Sequence, residues 1–342
     1  MESTGAAAGS GAVGETVAGL SARAVGAADA MADPGAGDAA DAMAGPEAAC
    51  ARVAVVGPGA IGTTVAAALH EVGRTPLLFG RRVREQLELH DGERRIVVPG
   101  PVRVAAAAAD GPVDVLFLAV KTTQVEAAAP LLRTLVGADT VVCALQNGVE
   151  QQSSFERYVS GGVVVPSVVW FPAQSEPDGS VLLRGEPRLT LPEVAQAAAV
   201  LEALRGTRFT IELSADFVSV AWRKLLQNAA AGLMVLTGRR SGMFGRADIA
   251  LLTEAYVREG LEVARAEGAT LGDEVVQQIV EYFQKNPADL GTSILADRVA
   301  GHPLEWDVRN GVVLRQGRVH GIPTPISEIV VPLLAAASDG PG

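Results

Sequence analysis

From Ala51 onward the chain alternates short, β-branched apolar runs with longer blocks of helical period. Arg52–Gly57 is a run of this kind ending in glycine, as a strand buried on both faces does. A helical block, Ile61–Val72, follows and stops at Gly73, and Thr75–Phe79 predicts the next strand. Asp114–Val120 reads as a central strand, Thr123–Val136 as a helix that Pro130 kinks or delays, and Thr140–Leu145 as a further strand. Strand and helix in alternation with short links predict a parallel sheet with right-handed crossovers. Beyond Gly148 the pattern loosens. It predicts a strand over Val163–Trp170, a turn at Pro177-Asp178-Gly179 leading into Ser180–Leu183, a helix over Glu193–Leu204 and a strand over Phe209–Leu213. From Asp216 the period is helical to the end, in blocks near 216–237, 246–268, 272–285, 291–299, 305–319 and 325–337. The expected architecture is α/β, with a parallel-sheet domain over 51–214 followed by an all-helical domain over 215–338.

Residues 1–50 break this pattern. They are dominated by Ala and Gly, with neither alternation nor helical period, and read as a disordered extension unable to bury enough side chain to offset its ordering entropy. An over-long gene start is the other reading, because Met31 and Met43 both precede the first strand.

Charge and composition then narrow the function classes. The net charge is −11, and seven acidic residues against Arg23 alone place −6 of it in the first fifty residues. The remaining −5 is ordinary for an enzyme and argues against nucleic acid or an anionic membrane as partner. An anionic substrate would have to be met by a few placed cations. Cys50 and Cys143 are far apart and show no metal spacing, nor do His70, His90, His302 and His320, so no metal is expected. No apolar run reaches the roughly 18 residues of a membrane span. The start lacks a positive n-region, so a cytoplasmic location is the expectation.

The candidate chemistry sits at the carboxyl ends of the expected strands. Gly57-Pro58-Gly59-Ala60-Ile61-Gly62 fits G-x-G-x-x-G, and here it follows a strand and opens a helix, the context that gives a Rossmann-type dinucleotide site its meaning. Gly57 permits the tight turn, Gly59 admits the pyrophosphate and Gly62 lets helix pack on strand. At the end of the second strand stands Gly80-Arg81-Arg82 rather than the carboxylate that holds a ribose 2′-hydroxyl. A guanidinium there favours a 2′-phosphate, so NADP(H) is preferred to NAD(H). Lys121-Thr122-Thr123-Gln124 and Gln146-Asn147-Gly148 occupy the next two strand ends. In the helical half, Lys224 and Asn228 share a helix face, while Ser293 and Glu305 fall at the starts of successive helices.

Taken together, GPGAIG, VKTTQ, QNG, WRKLLQN, Thr292-Ser293 and Glu305-Trp306-Asp307 make residues 52 to about 335 resemble the ketopantoate reductases. The resemblance implies NADPH-dependent reduction of a small 2-oxo acid, 2-dehydropantoate, to pantoate. It implies that Arg81 and Lys121 hold the 2′-phosphate end of the cofactor, that Gln124 supports it, and that Asn147 lies near nicotinamide and substrate. Lys224 would be the proton donor, Asn228 and Ser293 substrate contacts, and Glu305 the residue that orients cofactor and lysine. A lysine near its reference pKa of about 10.4 is charged at neutral pH, and a neighbouring Glu305 would keep it so.

One region departs from the family pattern. Members carry Asn-Pro one helical turn after the position of Asn228, where this chain has Gly232-Leu233, and a second amide is replaced around Gly242. Those amides meet the hydroxyl end of the substrate, so reduction of a different branched 2-oxo acid is the alternative reading. A dinucleotide-binding regulator without catalysis is a third, opposed by the joint presence of Lys224, Asn147, Ser293 and Glu305. An exposed apolar helical domain makes a homodimer plausible.

Overall fold

Every β-branched run between Arg52 and Leu145 forms a strand of one sheet in the computed structural model, which describes residues 51–159 and 161–340. The expected N-terminal extension and Cys50 lie outside the described residues. In chain order the first half contains β1 (Val53–Val56), α1 (Ala60–Glu71), β2 (Leu77–Phe79), β3 (Arg84–Asp91), β4 (Arg94–Arg103) and β5 (Val115–Leu118). It continues through α2 (Val125–Leu135), β6 (Val141–Ala144), α3 (Gln151–Glu156), β7 (Val163–Pro166), β8 (Val168–Val169) and β9 (Ala173–Ser175). β10 (Val181–Leu183), β11 (Arg188–Pro192), α4 (Ala197–Leu204) and β12 (Thr210–Ser214) complete it. The main sheet has the order β7-β6-β5-β1-β2-β4-β3-β10-β9. β1, β5 and β6 are buried along their whole length, which is why they read as continuous apolar runs without alternation.

The sheet is mixed rather than purely parallel. β7, β6, β5, β1, β2 and β4 run parallel, but β3 folds back antiparallel on β4 and β9 antiparallel on β10. The β3–β4 hairpin was not among the expected elements. Its signal is the alternation of buried Leu87 and Leu89 with the half-buried Glu88 and His90, followed by Asp91-Gly92. Gly92, at φ +59°, supplies the positive φ of the turn. The turn at Pro177–Gly179 forms as expected, with the Ser180 N–H donating to Asp178 Oδ1 at 2.9 Å.

The single strand expected over Val163–Trp170 breaks at Ser167. β7 stays in the main sheet, while β8 joins a three-stranded sheet of order β12-β11-β8. Ser167 is buried at this switch, and its polar atoms are all engaged. Its hydroxyl donates to the Ala144 carbonyl at 2.6 Å, and its N–H donates to Gln151 Oε1 at 3.1 Å. Gln151 Nε2 in turn donates to the Ser167 carbonyl at 3.0 Å and to the Gln146 carbonyl. One buried amide thus fixes both the strand switch and the loop after β6.

The second half is helical: α5 (Phe217–Thr237), α6 (Ala247–Ala266), α7 (Glu274–Lys285), α8 (Ser293–Val299), α9 (Val312–His320) and α10 (Pro325–Asp339). Asp216 caps α5 by accepting the Ser219 N–H at 3.1 Å, and Gly238 ends it in the left-handed conformation. Trp222, Met234, Phe244, Tyr256 and Phe283 are buried around the long α5, so this helix is the axis of the helical half. A turn of π-helix, Asp307–Gly311, precedes α9 where an uninterrupted helical block was expected. Among the described residues no helix is long and apolar enough to cross a membrane.

Replacing Gln151 with Met should leave the buried Ser167 N–H and carbonyl unpaired, at a cost of about 1–3 kcal/mol. The urea midpoint should fall without a change in slope; an unchanged midpoint would show that water satisfies the switch.

Candidate active site

The glycine loop between β1 and α1 has distinct demands at each glycine. Gly57 has φ +90°, and a β-carbon there would lie 2.7 Å from the Val120 backbone nitrogen. At Gly62 it would lie 2.4 Å from the Gly57 carbonyl oxygen. These two glycines are imposed by the fold. Gly59 differs, because a β-carbon there would meet nothing within 4 Å. Glycine is kept where the protein itself leaves room, at the N-cap of α1, whose first-turn N–H groups receive no side-chain cap. Open space in front of unsatisfied helix N–H groups suits a pyrophosphate. Pro58, Ala60 and Ile61 complete the loop, and Pro58 closes against Gly80 at the end of β2.

Beyond Gly80, Arg81 and Arg82 are exposed, with no carboxylate hydrogen-bonded to either among the described residues. At the end of β5, Lys121 turns toward the helical half, its ammonium 2.5 Å from Asp297 Oδ1 of α8. Thr122–Gln124 form a 3₁₀ turn leading into α2, with Gln124 at the N-cap. The loop after β6 divides its labour. Buried Gln146 donates to the Val120 carbonyl at 2.5 Å and ties the two strand ends together. Asn147 faces α5, and at Gly148, φ +113°, a β-carbon would lie 3.4 Å from Val308.

α5 presents Lys224 and Asn228 on one face, opposite Asn147 and Val168. Asn228 Nδ2 donates to Asn147 Oδ1 at 3.2 Å across the narrow cleft that Lys224 also lines. The Lys224 ammonium stands 5.0 Å from the ring centroid of Trp170, which itself lines an adjoining cleft of about 430 Å³ with Arg188, Thr190, Glu212 and Arg223. Burial, aided by the positive charges of Arg309, Arg188 and Arg223, lowers the Lys224 pKa to about 8. The expected value near that of free lysine is therefore corrected: withdrawal from water is the larger influence, and three cations add to it.

The segment after α8 runs beside this cleft, with Val308 next to Gly148. Glu305 is buried, and its carboxylate accepts the Thr122 N–H at 3.1 Å. It was expected to keep Lys224 charged, but its nearest cation is Arg309, whose Nη2 is 3.8 Å from Glu305 Oε2. Arg309 Nη2 also donates to Ser293 Oγ at 2.9 Å. The guanidinium is 3% exposed, and its Nε has no partner. Thr292 Oγ1 beside Ser293 is likewise buried and unpartnered. The structure thus brings together Asn147, Lys224 and Asn228 as one group and Ser293, Glu305 and Arg309 as another, linked by the influence of Arg309 on Lys224.

A family model described as ketopantoate reductase PanE/ApbA matches residues 53–196, and the model of its C-terminal region matches residues 216–338. The chain belongs to the ketopantoate reductase family. A curated 2-dehydropantoate 2-reductase of Mycobacterium tuberculosis (strain ATCC 25618 / H37Rv) is 54% identical over 283 residues, covering 82% of this chain and 96% of that protein. Another, from Caulobacter vibrioides, is 35% identical over 66% of this chain and 78% of its own length. Among solved structures, a dimeric ketopantoate reductase of Staphylococcus aureus superposes with a TM-score of 0.76 at 27% identity, covering 85% of this chain and 100% of the other.

Within the ketopantoate reductase fold, the two departures at glycine are structurally unlike. Gly232 lies on the α5 face beneath Asn228, and a β-carbon there would be 2.8 Å from Asn310 Nδ2 and 3.1 Å from Leu334 Cδ1. The space of the missing side chain is filled by Asn310, which donates to the Ala229 carbonyl and the Tyr256 hydroxyl. Gly242 instead packs on the Ala288 backbone, to whose carbonyl its own N–H donates at 2.8 Å. Arg309 and Asn310 were absent from the sequence-based candidates. The only signal was the i, i+4 spacing of Glu305 and Arg309, which a solvated surface pair shows equally.

The loop makes a paired test possible. Gly57→Ala should destabilise the fold by about 1–3 kcal/mol, the scale of a strained backbone position. Gly59→Ala should leave the melting temperature unchanged yet weaken dinucleotide binding at least roughly tenfold, as loss of close backbone approach to the pyrophosphate predicts. Unchanged dinucleotide affinity in Gly59→Ala would remove the loop from the cofactor site.

Proposed function

We propose that this protein reduces 2-dehydropantoate to pantoate with NADPH, the ketone-reducing step of pantothenate biosynthesis. The observation that carries the reading is a half-buried lysine of lowered pKa, Lys224, beside the paired amides of Asn147 and Asn228 at a strand end. The curated relative at 54% identity bears the name of this activity. When bound, the reduced nicotinamide supplies hydride to the ketone carbon. Lys224 donates its proton to the ketone oxygen as negative charge develops there. Asn147 and Asn228 orient substrate and cofactor, Ser293 meets the substrate carboxylate, and Glu305 holds the Thr122 turn of the cofactor side against the helical half.

The cofactor residues fit NADPH. Of the three motif glycines only Gly59 has open space in front of it, where a pyrophosphate would lie, and Arg81 supplies an exposed fork at the end of β2 for the 2′-phosphate. Lys121 belongs to the same side, with Asp297 as its counter-ion, and Gln124 stands at the N-cap position of α2 without a capping bond of its own, its side chain left for the cofactor. Reduction of another branched 2-oxo acid is the second reading. It is favoured by one observation, the absence of a side chain at Gly232, which leaves α5 without an amide for the substrate's hydroxyl end. A homodimer, the assembly named for the Staphylococcus aureus structure, is part of the proposal.

Four outcomes follow from these roles. Lys224→Ala should lower kcat by roughly 10²–10⁴-fold, the scale of a lost general acid, with NADPH affinity retained. The proton donor works only below its pKa, so kcat/KM for reduction should be level below about pH 8 and fall above it, and Lys224→Ala should abolish that limb. The same shift has a sign for stability. The unfolded chain holds the Lys224 proton above pH 8 when the folded protein has released it, so this residue's destabilising burial lessens as pH rises through that window. Arg81→Ala should raise the KM for NADPH at least tenfold, consistent with loss of a charge-assisted pair worth about 1.5–3 kcal/mol, and leave that for NADH nearly unmoved. Equal effects on the two cofactors would remove Arg81 from the 2′-phosphate.

A further inference from the structure

Arg309 is a buried cation with too few partners. Its Nη2 donates to the single hydroxyl of Ser293 at 2.9 Å, the carboxylate of Glu305 stops at 3.8 Å, and its Nε has no acceptor. A guanidinium only 3% exposed is costly to hold in that state, because neither water nor a close carboxylate replaces its hydration. The other oxygen of the Glu305 carboxylate, Oε1, is already engaged by the Thr122 N–H. The π-helical turn Asp307–Gly311 fixes this placement. Val308 packs on Gly148 and Asn310 is locked under α5, so Arg309 between them is held toward Ser293. Insertions of this kind into helices recur at functional sites.

We infer that Arg309 is a substrate-binding and specificity-determining residue, whose guanidinium, together with the Ser293 hydroxyl, receives the carboxylate of the 2-oxo acid. The inference rests on the proposed reduction of a 2-oxo acid. It adds a residue and a reason for acid recognition that neither the glycine loop nor Lys224 provides. A carboxylate accepts two parallel N–H bonds from a guanidinium, which would satisfy the orphaned Nε and supply a closer counter-charge than Glu305 at 3.8 Å. It would also relieve the repulsion by which Arg309 lowers the Lys224 pKa, so an acid substrate would restore the proton donor as it binds. Arg309 is then the placed cation that an acidic protein of net charge −11 needs for an anionic substrate.

The test compares an acid with its neutral counterpart: 2-oxo-3,3-dimethylbutanoate and its methyl ester, with NADPH, on wild type, Arg309→Met and Arg309→Lys. Wild type should favour the acid, and Arg309→Met should lower kcat/KM for the acid by roughly a hundredfold or more, as loss of a buried charge pair predicts. The ester should change less than about threefold and NADPH affinity should hold, since neither uses the guanidinium fork. Arg309→Lys keeps the charge without the fork and should fall between, which decides the matter if Arg309→Met fails to fold. A purely structural role would depress acid and ester alike, and that result overturns the inference. If wild type reduces neither compound nor ketopantoate, the proposed function fails, and calorimetric titration of 2-oxo-3,3-dimethylbutanoate into the NADP⁺-saturated proteins decides the inference separately. Binding by wild type that disappears in Arg309→Met upholds it; equal binding, or none to wild type, overturns it.

Discussion

A half-buried ammonium and a buried guanidinium repel one another, and the arrangement of the site follows from how that repulsion is held. Lys224 comes from α5 and Arg309 from the π-helical turn before α9, and each is anchored by packing that does not depend on its charge. Buried Trp222, Leu225 and Leu226 anchor the turn of α5 that carries Lys224, and Asn310 pins the turn that carries Arg309. Glu305 is close enough to temper Arg309 but is occupied by the Thr122 N–H. The result is a region of positive potential in a protein of net negative charge, the electrostatic condition for drawing in a small anion.

The sheet domain's contribution is to bring three strand ends to one place. Gly57 and Gly62 are forced by close approach of β1, α1 and the chain after β5, while Gln146 and Gln151 hold the next loop by buried amide bonds. Ser167 lets the chain leave one sheet for another directly behind that loop, which places Val168 and Val169 along the cleft and Trp170 beneath the Lys224 ammonium. Rigid strand ends on one side and a rigid long helix on the other are what position an amine and two amides without a mobile scaffold.

Two ties cross between the halves from the loop after β5, Lys121 with Asp297 and Thr122 with Glu305. Both join the loop after β5 to the helices that carry Ser293 and Arg309. A change in that loop is therefore felt at Ser293 and Arg309, through two short polar contacts rather than through the sheet.

The sequence by itself determined the central α/β order, the glycine loop, the candidate residues from Arg81 to Glu305 and the succession of helices from Asp216. Each of these is written in local pattern: β-branched runs, glycines at fixed offsets, helical period, or a recognisable motif. The β3–β4 hairpin has a local pattern too, but its place in the sheet depends on pairing with β2 and β10, partners distant in sequence. Only the tertiary structure decided that the space at Gly232 is filled by Asn310, that Glu305 contacts Arg309 and Thr122, and that burial lowers the Lys224 pKa to about 8. A pKa depends on dehydration and on charges brought from elsewhere in the chain, and an orphaned guanidinium is recognisable only when all its neighbours are in place. Spacing along a helix gives the face a residue occupies; it does not give what stands opposite.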